Sequence, residues 1–258
     1  VPDPLAERAA AGLREVWRTQ CGYVAGGEVA ERPGLLVTAT RLGDETLNCA
    51  FLTGPLPDAD AALDWCTGWF HERGLRTGIE LPVGTYPDVE AALAARGFGV
   101  VVRRPAMVLH PLTPPATDVP PRVRVTEVTD DAELAAYQAI QAEAFDMTPE
   151  VSAAFLPWKA VETPGVRMFL AHHDDVPCAT AGVHLSAYGA GVVGVATARG
   201  YRRRGIGRTV TAAALRWSAG EGADLAWLYP TPMARRLYEG LGFVALDDVQ
   251  VWVEGRSR

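Results

Sequence analysis

Two hydrophobic periods organise the second half of this 258-residue chain. In residues 122–128 (RVRVTEV) apolar side chains alternate with Arg and Thr, the period-two pattern of a half-buried strand. Over 129–144 the period lengthens. Leu134, Tyr137, Ile140 and Ala144 fall on one helix face, Thr129 or Asp130 can cap, and Glu133 sits in the first turn. Thr148-Pro149-Glu150 opens a second helix, expected over 148–160. Residues 166–173 and 178–188 predict a hairpin, and 190–197 a third strand after Gly189. Val210, Ala213, Ala214 and Trp217 then form a helical stripe that Gly220 and Gly222 terminate. A strand over 224–230, a helix over 231–241 with Pro232 in its first turn, and a closing strand or hairpin over 242–255 complete the order β-α-α-β-β-β-α-β-α-β. Such an order implies a mixed α/β (α+β) fold.

The first half carries a related pattern. Residues 35–42 and 48–55 read as strands, 59–73 as an amphipathic helix (Leu63, Trp65, Cys66, Trp69, Phe70), and 75–81 as a strand. Residues 86–109 then repeat the order of 231–253: Pro, short helix, Gly-Phe, strand. At an offset of 145 (232 − 87), Pro87 meets Pro232, Gly97 meets Gly242 and Phe98 meets Phe243. The chain therefore reads as a diverged tandem repeat. Between the halves, 111–121 (PLTPPATDVPP) has five prolines in eleven positions, too many for a helix interior or a central strand. The expected organisation is a domain over 1–110, a proline-rich linker over 111–121 and a domain over 122–258.

Composition narrows the function classes. Apolar residues make up 48% and charged residues 21%, an ordinary globular balance. No apolar run reaches the roughly 18–20 residues of a membrane helix, and no basic-then-apolar leader opens the sequence. A net charge of −7 argues against nucleic acid as the main partner. Cys21, Cys49, Cys66 and Cys178 share no short spacing and no histidine pairing. They read as free thiols in a reducing cytoplasm, and no metal site is expected.

The chemistry concentrates between the strand at 190–197 and the following helix. Arg199, Arg202, Arg203, Arg204 and Arg208 place five guanidinium groups within ten residues, and Gly205 and Gly207 remove Cβ atoms from the same loop. The first N–H groups of a helix lack internal partners and carry partial positive charge. Glycines let such a backbone close around a phosphate pair, so the loop suits a pyrophosphate. No G-x-x-x-x-G-K-[ST] is present, and no G-x-G-x-x-G directly follows a strand, which argues against a P-loop and a Rossmann site.

Arg202, Gly205 and Gly207 fit the pattern [Q/R]-x-x-G-x-[G/A], and Ala234, Leu237, Tyr238, Gly242 and Phe243 fit A-x-x-L-Y-x-x-x-G-F. With both motifs, residues 120–255 resemble the core of the GCN5-related N-acetyltransferases (GNATs), whereas 1–110 resemble it in architecture alone. The resemblance implies two GNAT-like domains, each a mixed, mostly antiparallel sheet flanked by helices. It implies acetyl-CoA, or another acyl-CoA, as donor, transferred to an amine by direct attack in a ternary complex. The amides from Arg203 through Gly205, Ile206 and Gly207 to Arg208, with Arg202 and Arg204, would hold the CoA pyrophosphate. Val195 and Thr197 would pair with pantetheine, in a gap where Gly194 permits a bulge. The amide of Val195 would serve as oxyanion donor, and Tyr238 as the acid that protonates the departing thiolate.

Departures from the family pattern also count. Thr231 stands where many members have Asn near the CoA arm; it can cap the helix, at the expense of that side-chain contact. No acid occurs in 190–197, where many members carry a Glu base. Glu143, Asp146, a water chain or His184 are the substitutes, His172 and His173 being expected in solvent near the hairpin turn. In the first half Leu93 replaces the tyrosine, and Asp58 and Asp60 replace arginines at the helix start, where they would repel phosphate. That half is expected to bind no CoA, with Trp17, Tyr23, Trp65 and Trp69 either walling an acceptor cleft or, for Trp65 and Trp69, packing in a core. The acceptor is expected to be a small-molecule amine, and the alternative is a non-catalytic acyl-CoA-binding accessory protein.

Overall fold

A computed structural model describes residues 3–43, 47–116 and 118–255. The chain begins with α1 (Pro4–Tyr23), β1 (Glu28–Arg32), β2 (Leu35–Ala39), β3 (Asn48–Leu52), α2 (Ala59–His71), β4 (Gly78–Pro82), α3 (Pro87–Ala95) and β5 (Phe98–Leu109). It continues with β6 (Val123–Glu127), α4 (Asp131–Ala144), α5 (Pro149–Phe155), α6 (Trp158–Glu162), β7 (Val166–His173), β8 (Val176–Ser186) and β9 (Gly189–Thr197). A short 3-10 helix at Arg199–Tyr201 leads to α7 (Ile206–Gly220), β10 (Ala226–Leu228), α8 (Arg235–Glu239) and β11 (Val244–Glu254). The element types follow the hydrophobic pattern, and α1 and β1 add to it.

The chain forms two compact units, Val1–Val16 with Met107–Ala245, and Trp17–Ala106 with Leu246–Arg258. The expected division at 111–121 is therefore not the division into compact units. The physical cause lies in strand pairing. Residues 107–109 of β5 pair with β10, and residues 249–253 of β11 pair with β4. Ladder hydrogen bonds thus join strands distant in sequence.

In the larger unit the strand order is β5-β10-β9-β8-β7-β6. Only β9 and β10 run parallel; the other neighbours are antiparallel. Alternation along β8 separates the two faces. Ala179, Ala181 and Val183 join a core with Ile206, Val210, Ala214 and Leu215 of α7, while Gly182 turns towards the Tyr137 hydroxyl of α4. Asp130 caps α4 by accepting from the Glu133 amide at 2.8 Å, and Glu133 in return accepts from the Thr129 amide at 2.8 Å. The single helix expected over 148–160 is two. The helix opens at Thr148-Pro149 as expected, with Thr148 as the cap of α5, but Pro157 lacks an N–H and stands between α5 and α6 as the N-cap of the latter.

In the smaller unit the order is β1-β2-β3-β4-β11-β5, and β3 and β4 run parallel. Its core gathers Leu63, Cys66, Trp69 and Phe70 of α2 with Leu81, Leu93 and Phe98. Asp58 caps α2, accepting from the Ala61 amide at 2.9 Å, and Arg96 pairs with Asp60 at 2.7 Å. Tyr23 and Trp69 are buried, and Trp17 packs against Phe51, with ring centroids 6.2 Å apart.

Candidate functional site

A gap opens between β9 and β10. Their parallel pairing is confined to Ala190 with Ala226 and Gly191 with Trp227, and β10 ends at Leu228 while β9 runs on to Thr197. On its other side β9 follows β8 as far as Val193, then slips: Gly182 pairs with Val193 but Thr180 with Ala196. Gly194 and Val195 therefore face a single β8 residue as a bulge, with Gly194 at φ +57°. An L side chain at that φ is strained, which explains the glycine. Val193, Gly194 and Val195 are half-buried in an otherwise mostly buried strand.

Beyond β9 the chain turns through the arginine-rich loop into α7. Arg203 has φ +60° and Gly205 φ +79°, and no side chain caps the helix. The Thr209 amide donates to the Gly205 carbonyl at 3.0 Å, closing the first helical turn. The amides of Ile206, Gly207 and Arg208 precede that bond and are the donors a helix start presents outward. A Cβ at Gly207 would lie 3.1 Å from Thr197 Oγ1, so glycine there lets the helix start approach the end of β9. The contrast with α2 is direct, since Asp58 caps its N-terminus and no side chain caps that of α7.

The loop arginines differ in use. Arg202 donates from Nε to the Thr197 carbonyl at 3.0 Å and so ties the loop to the strand end. Arg204 lies over the Tyr201 ring at 5.4 Å, and Arg208 Nη1 lies 3.4 Å from where a Cβ on Gly240, beside α8, would stand. Arg203 and Arg204 are exposed. Arg199 faces Glu143 and Asp146: its amide donates to Glu143 Oε1 at 2.9 Å, and its side chain approaches Asp146 at 3.9 Å. Both carboxylates considered as bases thus sit beside this arginine.

Tyr238 is buried on α8, its ring edge-on to Phe243 at 5.9 Å, and burial pushes its phenol above the ordinary range. The helix expected over 231–241 is shorter, since Ala234 is the N-cap of α8. Thr231 caps nothing; its carbonyl accepts from the Ala234 amide in a preceding turn. Pro232 cannot donate to such a turn and Met233 projects into solvent, 84% exposed. Of the histidines expected in solvent, His172 is instead buried, because β7 continues through it and its ring turns inward; burial lowers its pKa. His184 is buried on β8, opposite Val166 and Gly191, and burial pulls it down to about 4.

Three residues at the bulge escaped the motif reading: Tyr137, Gln141 and Thr180. Gln141 is 4% exposed and continues the apolar face of α4 one turn beyond Tyr137. A polar residue on that stripe was the available signal. Among the described residues, no group of three His, Cys, Asp or Glu side chains is arranged to hold a metal ion. No described helix is long and apolar enough to cross a membrane, and all four cysteines are buried and free.

A sequence model described as the acetyltransferase (GNAT) family matches residues 129–243. No curated protein sequence matches. Among solved structures, a GCN5-related N-acetyltransferase from Kribbella flavida superposes with a TM-score of 0.75 at 23% identity, over 96% of each chain. A second GCN5-related N-acetyltransferase, from Sphaerobacter thermophilus, gives 0.67 at 13% identity, over 99% of this chain and 95% of the other. A tandem GNAT protein from the clavulanic acid biosynthesis pathway gives 0.58 at 17% identity, over 87% of this chain and 79% of its own. At these identities the structures establish a shared fold. Residues 129–243 are thus similar in sequence to the acetyltransferase (GNAT) family, and the chain shares the mixed α/β fold of the GNAT structures.

Proposed function

We propose that the chain transfers an acetyl group from acetyl-CoA to an amine of a small molecule, by direct attack in a ternary complex. One observation carries this reading. The β9–β10 gap, with its bulge at Gly194, lies at the end of the strand that feeds the uncapped, arginine-flanked start of α7. A thioester arm and a pyrophosphate need those two features next to each other. In this proposal the amides from Arg203 to Arg208 bind the pyrophosphate, with Arg203 and Arg204 supplying charge. Val195 and Thr197 line the arm; the Thr197 carbonyl already accepts from Arg202 and keeps one lone pair.

Amine attack on a thioester is downhill, so alignment and charge stabilisation are the main tasks. The amine nitrogen forms a bond to the carbonyl carbon while the Val195 amide donates to the oxygen as it becomes negative. The C–S bond then breaks with its electron pair on sulfur, and Tyr238 gives that sulfur its proton. The amine proton leaves to solvent, and solvent returns a proton to Tyr238. No carboxylate stands on residues 189–197 and Glu143 is held against the Arg199 amide, so the acceptor arrives neutral.

The smaller unit is proposed as a degenerate GNAT-like half that binds no CoA, on the strength of Asp58 capping α2 and Leu93 replacing the tyrosine. Four free thiols favour a cytoplasmic setting. The missing acid on β9 favours a second reading, an acyl-CoA-binding accessory protein without turnover.

Calorimetric titration of acetyl-CoA into the wild type, Gly205→Asp and Gly205→Asn tests the donor site. Asn tolerates positive φ without charge, so it separates strain from repulsion. One equivalent bound by the wild type and by Gly205→Asn, and none by Gly205→Asp, is expected. Absence of binding to the wild type removes the proposal. Turnover over an amine panel separates enzyme from accessory protein.

A further inference from the structure

Resting on the donor site just proposed, we infer that Gln141 and Thr180 are positioning residues, which lock the Gly194–Val195 peptide so that the Val195 N–H points into the β9–β10 gap. The hydrogen bonds form a closed triangle. Gln141 Nε2 donates to the Gly194 carbonyl at 2.6 Å and to Thr180 Oγ1 at 2.6 Å, and Thr180 Oγ1 donates to the same carbonyl at 2.9 Å. Both side chains are buried. A carbonyl oxygen has two lone pairs, and here both are taken.

The direction of the amide follows from the trans peptide, which holds N–H and C=O on opposite sides of the C–N bond. Thr180 lies on β8 and Gln141 on α4, so the Gly194 carbonyl turns towards those elements. The Val195 N–H must turn away from them, to the side where β10 has ended. The bulge makes this possible, because the β8 register passes over Gly194 and Val195. Tyr137 completes the socket. A Cβ at Gly182 would lie 3.1 Å, and one at Gly194 3.2 Å, from its hydroxyl oxygen, so two glycines leave the phenol its place. Without the triangle the bulge peptide is free to rotate, and the amide loses its fixed aim at the developing oxyanion. Preorganised donors of this kind are worth about 100- to 1,000-fold in kcat.

The test reads the carbonyl itself. Acetyl-CoA labelled with carbon-13 at the thioester carbonyl is bound to the wild type, Thr180→Val, Thr180→Ser and Gln141→Leu, and its infrared band is compared with that of the free thioester. In parallel, the affinity of CoA, which has no carbonyl, is measured for each protein. The wild type should shift the band to lower frequency. Thr180→Val and Gln141→Leu should lose most of the shift, Thr180→Ser should recover it, and CoA affinity should stay constant throughout. A band shift unchanged in Thr180→Val overturns the inference and leaves the donor site standing, as does a wild type that binds acetyl-CoA with no shift. A wild type that binds neither acetyl-CoA nor CoA overturns the donor site and this inference together. Thr180→Val nearly conserves volume and decides the matter even if Gln141→Leu does not fold.

Discussion

The indole of Trp227 rests on the backbone of Gly12. A Cβ built at Gly12 would lie 2.5 Å from Trp227 Nε1, and one built at Gly191 2.4 Å from Cζ2, so two glycines bracket a ring only 1% exposed. Gly12→Ala should therefore destabilise the fold although it sits inside α1. Alanine gains about 0.5–1 kcal/mol of helix propensity. Overpacking a rigid buried ring costs about 1–3 kcal/mol, and the second effect wins. A lower midpoint on thermal unfolding is expected; an unchanged or higher midpoint would show that the indole yields.

Asp58→Ala removes the cap of α2 and should cost about 0.5–2 kcal/mol of stability, read from urea unfolding. Acetyl-CoA stoichiometry should stay at one equivalent in this variant, because Asp60 still stands in the first turn. A second equivalent on removing Asp58 would mean that a single carboxylate had been masking a working phosphate site.

Stability should fall between pH 6.5 and 4. The His184 pKa in the folded protein lies near 4, below the unfolded value of about 6.5. In that window the unfolded chain binds a proton that the folded chain refuses, so the His184 contribution to stability decreases as pH falls and levels off below 4. His172 acts in the same direction. The His184 contribution is of order 2–3 kcal/mol across the window. His184→Gln should flatten the pH dependence of the unfolding midpoint by about that amount. An identical slope in the variant would refute the assignment.

Tyr238→Phe should leave acetyl-CoA affinity within about twofold and lower kcat by about 100-fold or more. Burial holds the phenol protonated well beyond neutral pH, so no loss of activity between pH 7 and 9 should trace to Tyr238. Unaltered kcat across the amine panel would assign this tyrosine to the core alone.

The hydrophobic pattern reveals most elements of the fold because each is set by local periodicity and end signals: of the two cap candidates for α4 the structure uses Asp130, and α5 opens at Thr148-Pro149 as expected. The partners of β5 and β11 were not legible. An alternating strand states which face is buried but not which neighbour it joins, and both strands carry the same Gly-Phe entry. At the site, the loop at 202–207 stands out through glycine and arginine spacing, whereas the bulge at Gly194 is implied by the family resemblance. Gln141 and Thr180 do not stand out, since their role depends on a tertiary contact between α4, β8 and β9. Pro157 and Pro232 shorten the helices expected over 148–160 and 231–241, because neither supplies a backbone N–H. His172 lies near a turn yet is buried, because the strand continues to His173 and proximity to a turn does not set exposure.

The pairing of β4 with residues 249–253 also constrains the order of events during synthesis. The sheet of the smaller unit lacks the strand beside β4 until residue 253 has left the ribosome, after all of 107–245 has been made. Until then β4 presents an open ladder edge, and a gene fragment ending at the proline segment would encode a sheet without the strand beside β4.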